Sequence, residues 1–385
     1  MTITILGRQP AIGLAELESL YGSDHVRPVG DSAAFIDGPI DFARLGGSVK
    51  AGKVLTILET TNPQKVFDYC RRALPEHLGY IPEGKLKLGA SLYGLSMPVP
   101  KINANVLSLK KVARDAGRSA RAIPNTELAL SSAQTYHNQL ISALGLELIM
   151  IRDGNSTILA QATHVQNINE YTERDRERPK RDTRVGMLPP KLAQTIINLA
   201  AKDKKDGTVL DPFCGTGVVL MEASLMGYRA YGTDIEERMI RYSRDNMNWL
   251  FEKYLRTGAV YYETADATDH IWRQPIDVVA CEGYLGTPFA SEPPDAPLKD
   301  TIQTCNLITK KFLRNIHGQL APGARLCVAV PAWFVRGRIH HLPFLDDIAA
   351  VGYTRVEFKH ASTSDLTYHR DDQIVGRELL VLTKN

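Results

Sequence analysis

A chain of 385 residues, 44% of them hydrophobic and 23% charged, is too long for one ordinary core and has globular composition, which excludes the fibrous, disordered and disulfide-scaffold classes. A formal net charge of +3 gives no warrant for nucleic-acid binding from global charge, so any such binding must rest on a local basic face. Cys70, Cys214, Cys281, Cys305 and Cys327 show no CxxC pair or zinc spacing, and the sequence has neither a secretory leader pattern nor an apolar run of the roughly 18 residues that span a bilayer; free thiols and a soluble cytoplasmic protein are expected.

In chain order, the first half reads as short mixed elements. Strand Thr2–Leu6 turns at Gly7 into a helix over Ala11–Leu20, where Leu14, Leu17 and Leu20 recur at helical spacing. Strand Lys53–Leu58 follows, then helices over Asn62–Arg72, Lys101–Ala116 and Ser131–Leu144, and strand Glu147–Arg152. The Asp153-Gly154-Asn155 turn leads into strand Thr157–Ala160. Composition then shifts at Asn169–Met187, a polar run rich in Lys and Arg with acids interspersed, which reads as the interdomain linker, with a merely solvated connector of mixed charge as the alternative.

From Leu188 onward helices and strands alternate, the pattern of a mostly parallel sheet wrapped by helices, that is, a doubly wound α/β domain. Pro189 and Pro190 open a helix that runs through Asn198–Ala201. Strands are predicted at Thr208–Leu210, Arg229–Thr233, Val260–Glu263, Asp277–Cys281, Arg325–Val330, Thr354–Lys359 and Glu378–Thr383. Helices are predicted between them at Val218–Met226, Glu236–Tyr254, Leu298–Gln319 and Phe344–Val351.

The most informative stretch is TVLDPFCGTGVVLMEASLMGYRAYGTD, in which an apolar strand ends in Asp211, a Gly215/Gly217 loop follows and a helix starts at once. Glycines let a ligand approach the backbone, and the helix start presents free N–H groups to it. The dinucleotide fingerprint GxGxxG is not met, since Leu220 stands in the third glycine's place. A carboxylate at Asp211 would repel a pyrophosphate but attract a cationic methionine moiety, so the loop points to a methyl donor. Asp234, ending the second strand, suits the two ribose hydroxyls, and Asp266, after the third, suits the adenine amine. Glu282, after the fourth, lies where a substrate's reacting group meets the donor methyl; all four acids are expected to line one crevice at the carboxyl ends of the strands.

Over nearly its whole length the sequence resembles the THUMP-containing tRNA guanine N2-methyltransferases that modify guanosine 10. ILGRQPAIGLAELESL is similar to the amino-terminal ferredoxin-like unit of that family, RAIPNTELALSSAQTYHNQL to the end of its THUMP domain, INEYTERDRERPKRDTRVGMLPPKLAQTIINLA to its linker and first catalytic helix, and LDPFCGTG to its donor loop. The resemblance implies a ferredoxin-like unit over 1–55, a THUMP-like RNA-binding domain over 56–165, a linker over 166–187 and a class I, Rossmann-like methyltransferase domain over 188–385, with seven strands and the last entering antiparallel. It implies S-adenosylmethionine as cofactor, held by Asp211, Phe213, Gly215, Gly217, Asp234, Ile235, Asp266 and Ala267. It also implies tRNA as partner, gripped by the amino-terminal half, with Arg121, Arg174, Asp175, Arg178 and Asp182 on the substrate side and Pro179 in the same charged motif. A small activating partner protein is left open by it.

One departure matters. Amine methyltransferases of this kind carry Asp-Pro-Pro-Tyr after the fourth strand: the carboxylate and a proline carbonyl accept from the target NH2, and the aromatic ring stacks on the flipped base. Here the positions are Glu282, Gly283, Tyr284 and Leu285. Glu282 can accept on a longer side chain, the Gly283 carbonyl offers a second acceptor, and Tyr284, displaced by one, takes the stacking role that Leu285 cannot. The base identity is therefore open. Two rivals follow: a tRNA-binding or chaperone factor with an altered catalytic loop, and a DNA amino-methyltransferase sharing the donor loop. Further candidates on the crevice rim are Tyr368, Arg370 and Arg377 as RNA contacts and Trp333 with Phe334 as walls around the base.

Overall fold

Residues 1–182, 187–289 and 291–385 are described by a computed structural model of the chain. The linker expected over 166–187 therefore lies partly outside the described residues, at 183–186. The chain forms two units: one holds Met1–Leu14, Tyr21–Ala43 and Gly47–Glu170, the other Ala15–Leu20, Arg44–Gly46 and Tyr171–Asn385.

The first unit is built on one sheet of eight strands, β1 (Thr2–Leu6), β2 (Val26–Val29), β3 (Ala33–Ile36), β4 (Ser48–Leu58), β5 (Leu86–Tyr93), β6 (Ala120–Ala122), β7 (Gly145–Asp153) and β8 (Ser156–Val165), in the order β2-β3-β1-β4-β8-β7-β5-β6. Helix α1 (Pro10–Tyr21) follows β1, and α2 (Pro63–His77), α3 (Val99–Asp115) and the short α4 (Ser132–His137) complete the first half. Asp153 pairs with Ser156, so a two-residue turn closes the β7–β8 hairpin, and Gly154 at φ +58° supplies the left-handed conformation such turns need. Pairs β5–β7 and β5–β6 are parallel. Strand β5 escapes periodicity because residues on both its faces are buried, which erases the alternation.

Val66, Phe67 and Leu74 of α2 and Ile102, Val106 and Leu109 of α3 pack on Leu88, Leu146 and Leu148. The opposite face holds Ile3, Ile5, Phe35, Ile149, Ile151 and Ile158. A buried ion pair crosses this unit: Lys50 Nζ donates to Glu147 Oε1 at 2.5 Å and to the Leu130 carbonyl at 2.7 Å, while Glu147 also accepts from Ser91 and Thr135 hydroxyls, both at 2.6 Å. Such a pair tolerates burial because its remaining hydrogen-bonding capacity is filled. Helix α4 stops at His137, well before the predicted Leu144, because Gln139 turns to φ +55° and ends the helical path.

The second half of the chain opens on α5 (Ile168–Thr172), which winds into a single π turn over Glu173–Glu177. Then come α6 (Pro190–Ala201), β9 (Thr208–Asp211), α7 (Val218–Leu225), β10 (Arg229–Asp234), α8 (Glu237–Tyr254), β11 (Val260–Thr264), β12 (Val278–Glu282), α9 (Asp295–His317), β13 (Arg325–Val335), β14 (Arg338–His340), β15 (Tyr353–Arg355), β16 (Thr367–Tyr368) and β17 (Val375–Lys384). The main order is β11-β10-β9-β12-β13-β17-β15, seven strands, with β14 and β16 appended at β13 and β17. Strands β9 to β13 run parallel, and β17 enters antiparallel beside β13, as expected for the doubly wound methyltransferase arrangement. The sheet's core gathers Leu210, Tyr231, Val279, Phe312, Leu326, Val328 and Leu380. The helix predicted over Phe344–Val351 is instead a 3-10 segment, Pro343–Val351, broken at Asp347. All five cysteines are buried and unpaired, and no helix among the described residues is long and apolar enough to cross a membrane.

Candidate functional site

Parallel strands β9, β10 and β12 end side by side, which brings their terminal acids Asp211, Asp234 and Glu282 to one edge of the sheet. The loop after β9 is tied to these acids by backbone amides. Asp211 Oδ1 accepts from the Phe213 amide at 3.1 Å; Asp234 Oδ2 accepts from Gly215 and Oδ1 from Glu236, each at 2.9 Å. Gly215 and Gly217 sit at φ +50° and +82°, where other residues are strained. A Cβ on Gly217 would strike Ser243 Oγ at 2.8 Å, whereas one on Gly215 would meet nothing nearer than 3.9 Å. Gly217 thus lets the loop seat on α8, and Gly215 faces open space.

Two residues not singled out from the sequence hold this loop. Ser243 Oγ donates to the Gly215 carbonyl at 2.9 Å, and Asn246 Nδ2 donates to the Thr216 carbonyl at 2.8 Å. Asn246 also accepts from the Lys180 amide at 2.8 Å and donates to the Lys180 carbonyl at 2.9 Å, so the charged stretch before α6 is bound to the loop through one amide side chain. The available signal was polar Ser243 and Asn246, three apart, on the helix stripe otherwise formed by Met239, Ile240, Met247 and Leu250.

Burial pushes the Asp211 carboxyl, 2% exposed, well above the usual range; the Phe213 amide opposes this, and Asp234 and Glu282 reinforce it. Asp234 is also raised by burial, against the amides of Glu236 and Gly215. The crowding of carboxylates makes the crevice receptive to a cation. Ile235 stands 67% exposed beside Asp234, a large apolar side chain left facing solvent. Asp266 is exposed, its Oδ1 taken by the Thr268 amide at 2.9 Å, with Ala267 buried behind it. Phe213 is half-buried, edge-on to Phe312 with ring centroids 5.1 Å apart.

At the other end of the crevice, Glu282 is raised by burial and opposed by the guanidinium of Arg377, whose Nε donates to Glu282 Oε1. Arg377, expected to meet RNA at the rim, is thus corrected to a buried ion-pair partner, because only β13 stands between β17 and β12. The Gly283 amide donates to the Ala329 carbonyl at 2.9 Å, and Tyr284 projects into solvent. Trp333 is fully buried in the core and is no wall for a base, since β13 turns it inward. Phe334 is half-buried and stacks on His369, 3.6 Å between centroids and 13° between planes. Tyr368 accepts from Arg370, and Arg370 is exposed.

The linker positions expected on the substrate side are mostly turned inward. Arg174, 4% exposed, donates from Nε to Glu222 Oε1 at 2.6 Å and from Nη2 to Oε2 at 3.3 Å. Arg178, 2% exposed, donates to the Arg174 carbonyl, and Asp182 accepts from Arg238 at 3.1 Å. Arg174 and Asp182 are thus paired with opposite charges within the second unit, whereas Arg178 has a backbone carbonyl and leaves Nε and Nη2 without partners among the described residues. Asp175 is half-buried. Arg121 is exposed on β6, at the edge of the first unit's sheet.

Residues 203–374 match a family described as "Methyltransferase domain", and residues 133–245 one described as "DNA methylase". Over 148 residues, 38% of this chain, the sequence is 32% identical to a tRNA (guanine(10)-N2)-dimethyltransferase of Methanothermobacter thermautotrophicus, covering 39% of that protein. Over 165 residues it is 28% identical to the Pyrococcus abyssi protein of the same name, covering 43% of this chain and 45% of that one. The chain thus spans less than half the length of these curated relatives. Among solved structures it is similar to TrmN from Thermus thermophilus, with a TM-score of 0.55 and 17% identity, over 100% of this chain and 99% of that one, a likeness of fold.

Proposed function

We propose that the chain is an S-adenosylmethionine-dependent tRNA methyltransferase that acts on the N2 amine of a guanosine, position 10 as in the names of its relatives. The observation that carries this is the row of strand-end acids around an open glycine loop, with Glu282 at its substrate end. The residues present fit the cofactor: Asp211 supplies negative charge for a cationic methionine moiety, Asp234 retains acceptor capacity for the ribose, and exposed Ile235 offers an apolar face for adenine. Phe213, Gly215, Gly217, Asp266 and Ala267 complete the proposed set. When bound, the cofactor supplies a methyl group already activated by its sulfonium.

The chain's own part is orientation. Glu282 accepts from the target amine, directing the nitrogen lone pair, while the Gly283 carbonyl and the Tyr284 ring hold the base. No strong base is required if the proton leaves after attack. The proposed division of labour gives tRNA docking to the ferredoxin-like residues 1–55 and THUMP-like residues 56–165, with Arg121 on that surface, joined by residues 166–187 to a catalytic domain over 188–385. Asp175 is the linker side chain retained as a substrate contact. The proposed compartment is the cytoplasm.

The test is mass spectrometry of tRNA after incubation with purified protein and isotopically labelled donor. Labelled N2-methylguanosine is expected, and tRNA without any new methylguanosine overturns the reading. The match of residues 133–245 to a DNA methylase family favours a second reading, amine methylation of DNA. Label in duplex DNA, with tRNA unlabelled at the same salt concentration, would establish it instead.

A further inference from the structure

Glu282 is one methylene longer than aspartate and lacks a following Pro-Pro pair, so its loop alone does not fix where its oxygens lie. Arg377 does. Its side chain reaches past β13, where it stands in register with Pro331, and binds one oxygen of Glu282 through Nε. Arg377 is 6% exposed, so this pair is shielded from the screening that weakens surface ion pairs. Glu282 Oε2 accepts no hydrogen bond from any described residue, which leaves the acceptor capacity of one oxygen unused.

Arg377 from β17 is the charged group that acts on Glu282 against its burial, and Glu282 in turn helps raise its neighbours Asp211 on β9 and the Cys281 thiol on β12. Two acids, Asp211 and Glu282, crowd one poorly solvated crevice, where both do not ionise easily. The guanidinium decides between them: it lies on Glu282, while Asp211 has only a backbone amide.

We infer that Arg377 is the positioning residue of the transfer step, holding Glu282 ionised with one oxygen occupied and the other aimed as sole carboxylate acceptor for the target amine. This rests on the amine-methylation reading above. It also assigns the rigidity missing from the Glu-Gly-Tyr-Leu loop to a side chain far along the chain.

The experiment is single-turnover methylation of tRNA between pH 6 and 9 by the full-length wild type, Arg377→Met, Arg377→Lys, Glu282→Gln and the double variant. Wild type and Arg377→Lys, which keeps the charge, should give flat profiles. In Arg377→Met the buried Glu282 carboxyl loses the guanidinium that opposes its burial and rises further, so the rate should fall about 10–100-fold at pH 7 and recover as pH rises. In the Glu282→Gln background Arg377→Met should change the rate less than about 3-fold, since the interaction is already gone. If Arg377→Met does not fold, Arg377→Gln reads the same profile. A loss equal at every pH, or one that adds in full to Glu282→Gln, overturns the inference. No methylation by wild type at any pH instead overturns the reading on which it rests.

Discussion

Asp211 pairs deep burial with a single amide partner, and its carboxyl is pushed well above the ordinary range. A cationic ligand beside it favours the ionised form and lowers that value, so donor binding should expel a proton. The sign is fixed: donor affinity should climb with pH between the bound-state and free-state values and level off above them. Calorimetry in buffers of different ionisation enthalpy measures the proton released, and Asp211→Asn should abolish it. Asp234 carries two backbone amides as well as the proposed ribose contact, so Asp234→Ala should weaken donor binding by about 1–3 kcal/mol. An unchanged calorimetric affinity removes Asp234 from the site. For Glu282→Gln the single-turnover rate should drop roughly 10–1000-fold with donor and tRNA affinity nearly unchanged, the pattern of a contact made mainly in the transition state. The strand-end acids and loop glycines were legible in the sequence because strand, turn and helix are local. The tie from Arg377 to Glu282 was not, because only the antiparallel entry of β17 beside β13 brings the two together.

Helix α8 shows how an element can serve a site it does not itself line. Its Asn246 is fully buried and joins the Thr216 carbonyl to both backbone groups of Lys180. Asn246→Ala leaves those groups without partners, and a loss of about 1–3 kcal/mol in stability, with weakened donor binding, is expected from denaturant titration and calorimetry. The charged run before α6 looked solvated in sequence because its acids and bases alternate. Two of its charged side chains instead find distant partners, Arg174 meeting Glu222 on α7 and Asp182 meeting Arg238 on α8. Glu222→Ala strands a buried guanidinium and should cost about 3–5 kcal/mol, read as a lowered urea midpoint; the double change Arg174→Met with Glu222→Leu should recover most of it. Helix lengths were legible where an amphipathic stripe persists, as in α8 and α9. The end of α4 was not, since the reversal at Gln139 has no glycine to announce it.

For the whole molecule, the boundary between units does not follow the chain. Ala15–Leu20 and Arg44–Gly46 belong with the second unit, where Glu16 accepts from Asn198 at 2.8 Å and Arg44 donates to the same Asn198 at 2.8 Å. Helical spacing marks Ala15–Leu20 as helix but not as part of the second unit, and composition placed the visible break near residue 170. Removing residues 1–160 therefore leaves fully buried Asn198 without these partners, and the fragment should unfold at a clearly lower urea concentration than the full chain. A fragment with an undiminished midpoint contradicts this. The buried cysteines also make the protein its own gauge of local opening. Cys70 lies alone in the first unit and its thiol is pushed up to about 12, while Cys214, Cys281, Cys305 and Cys327 lie in the second. A brief pulse of alkylating reagent will therefore mark each half only when that half breathes, and counting labelled peptides gives two independent clocks from one sample. Adding S-adenosylmethionine should slow the clock of the second unit and leave that of Cys70 running at its former rate.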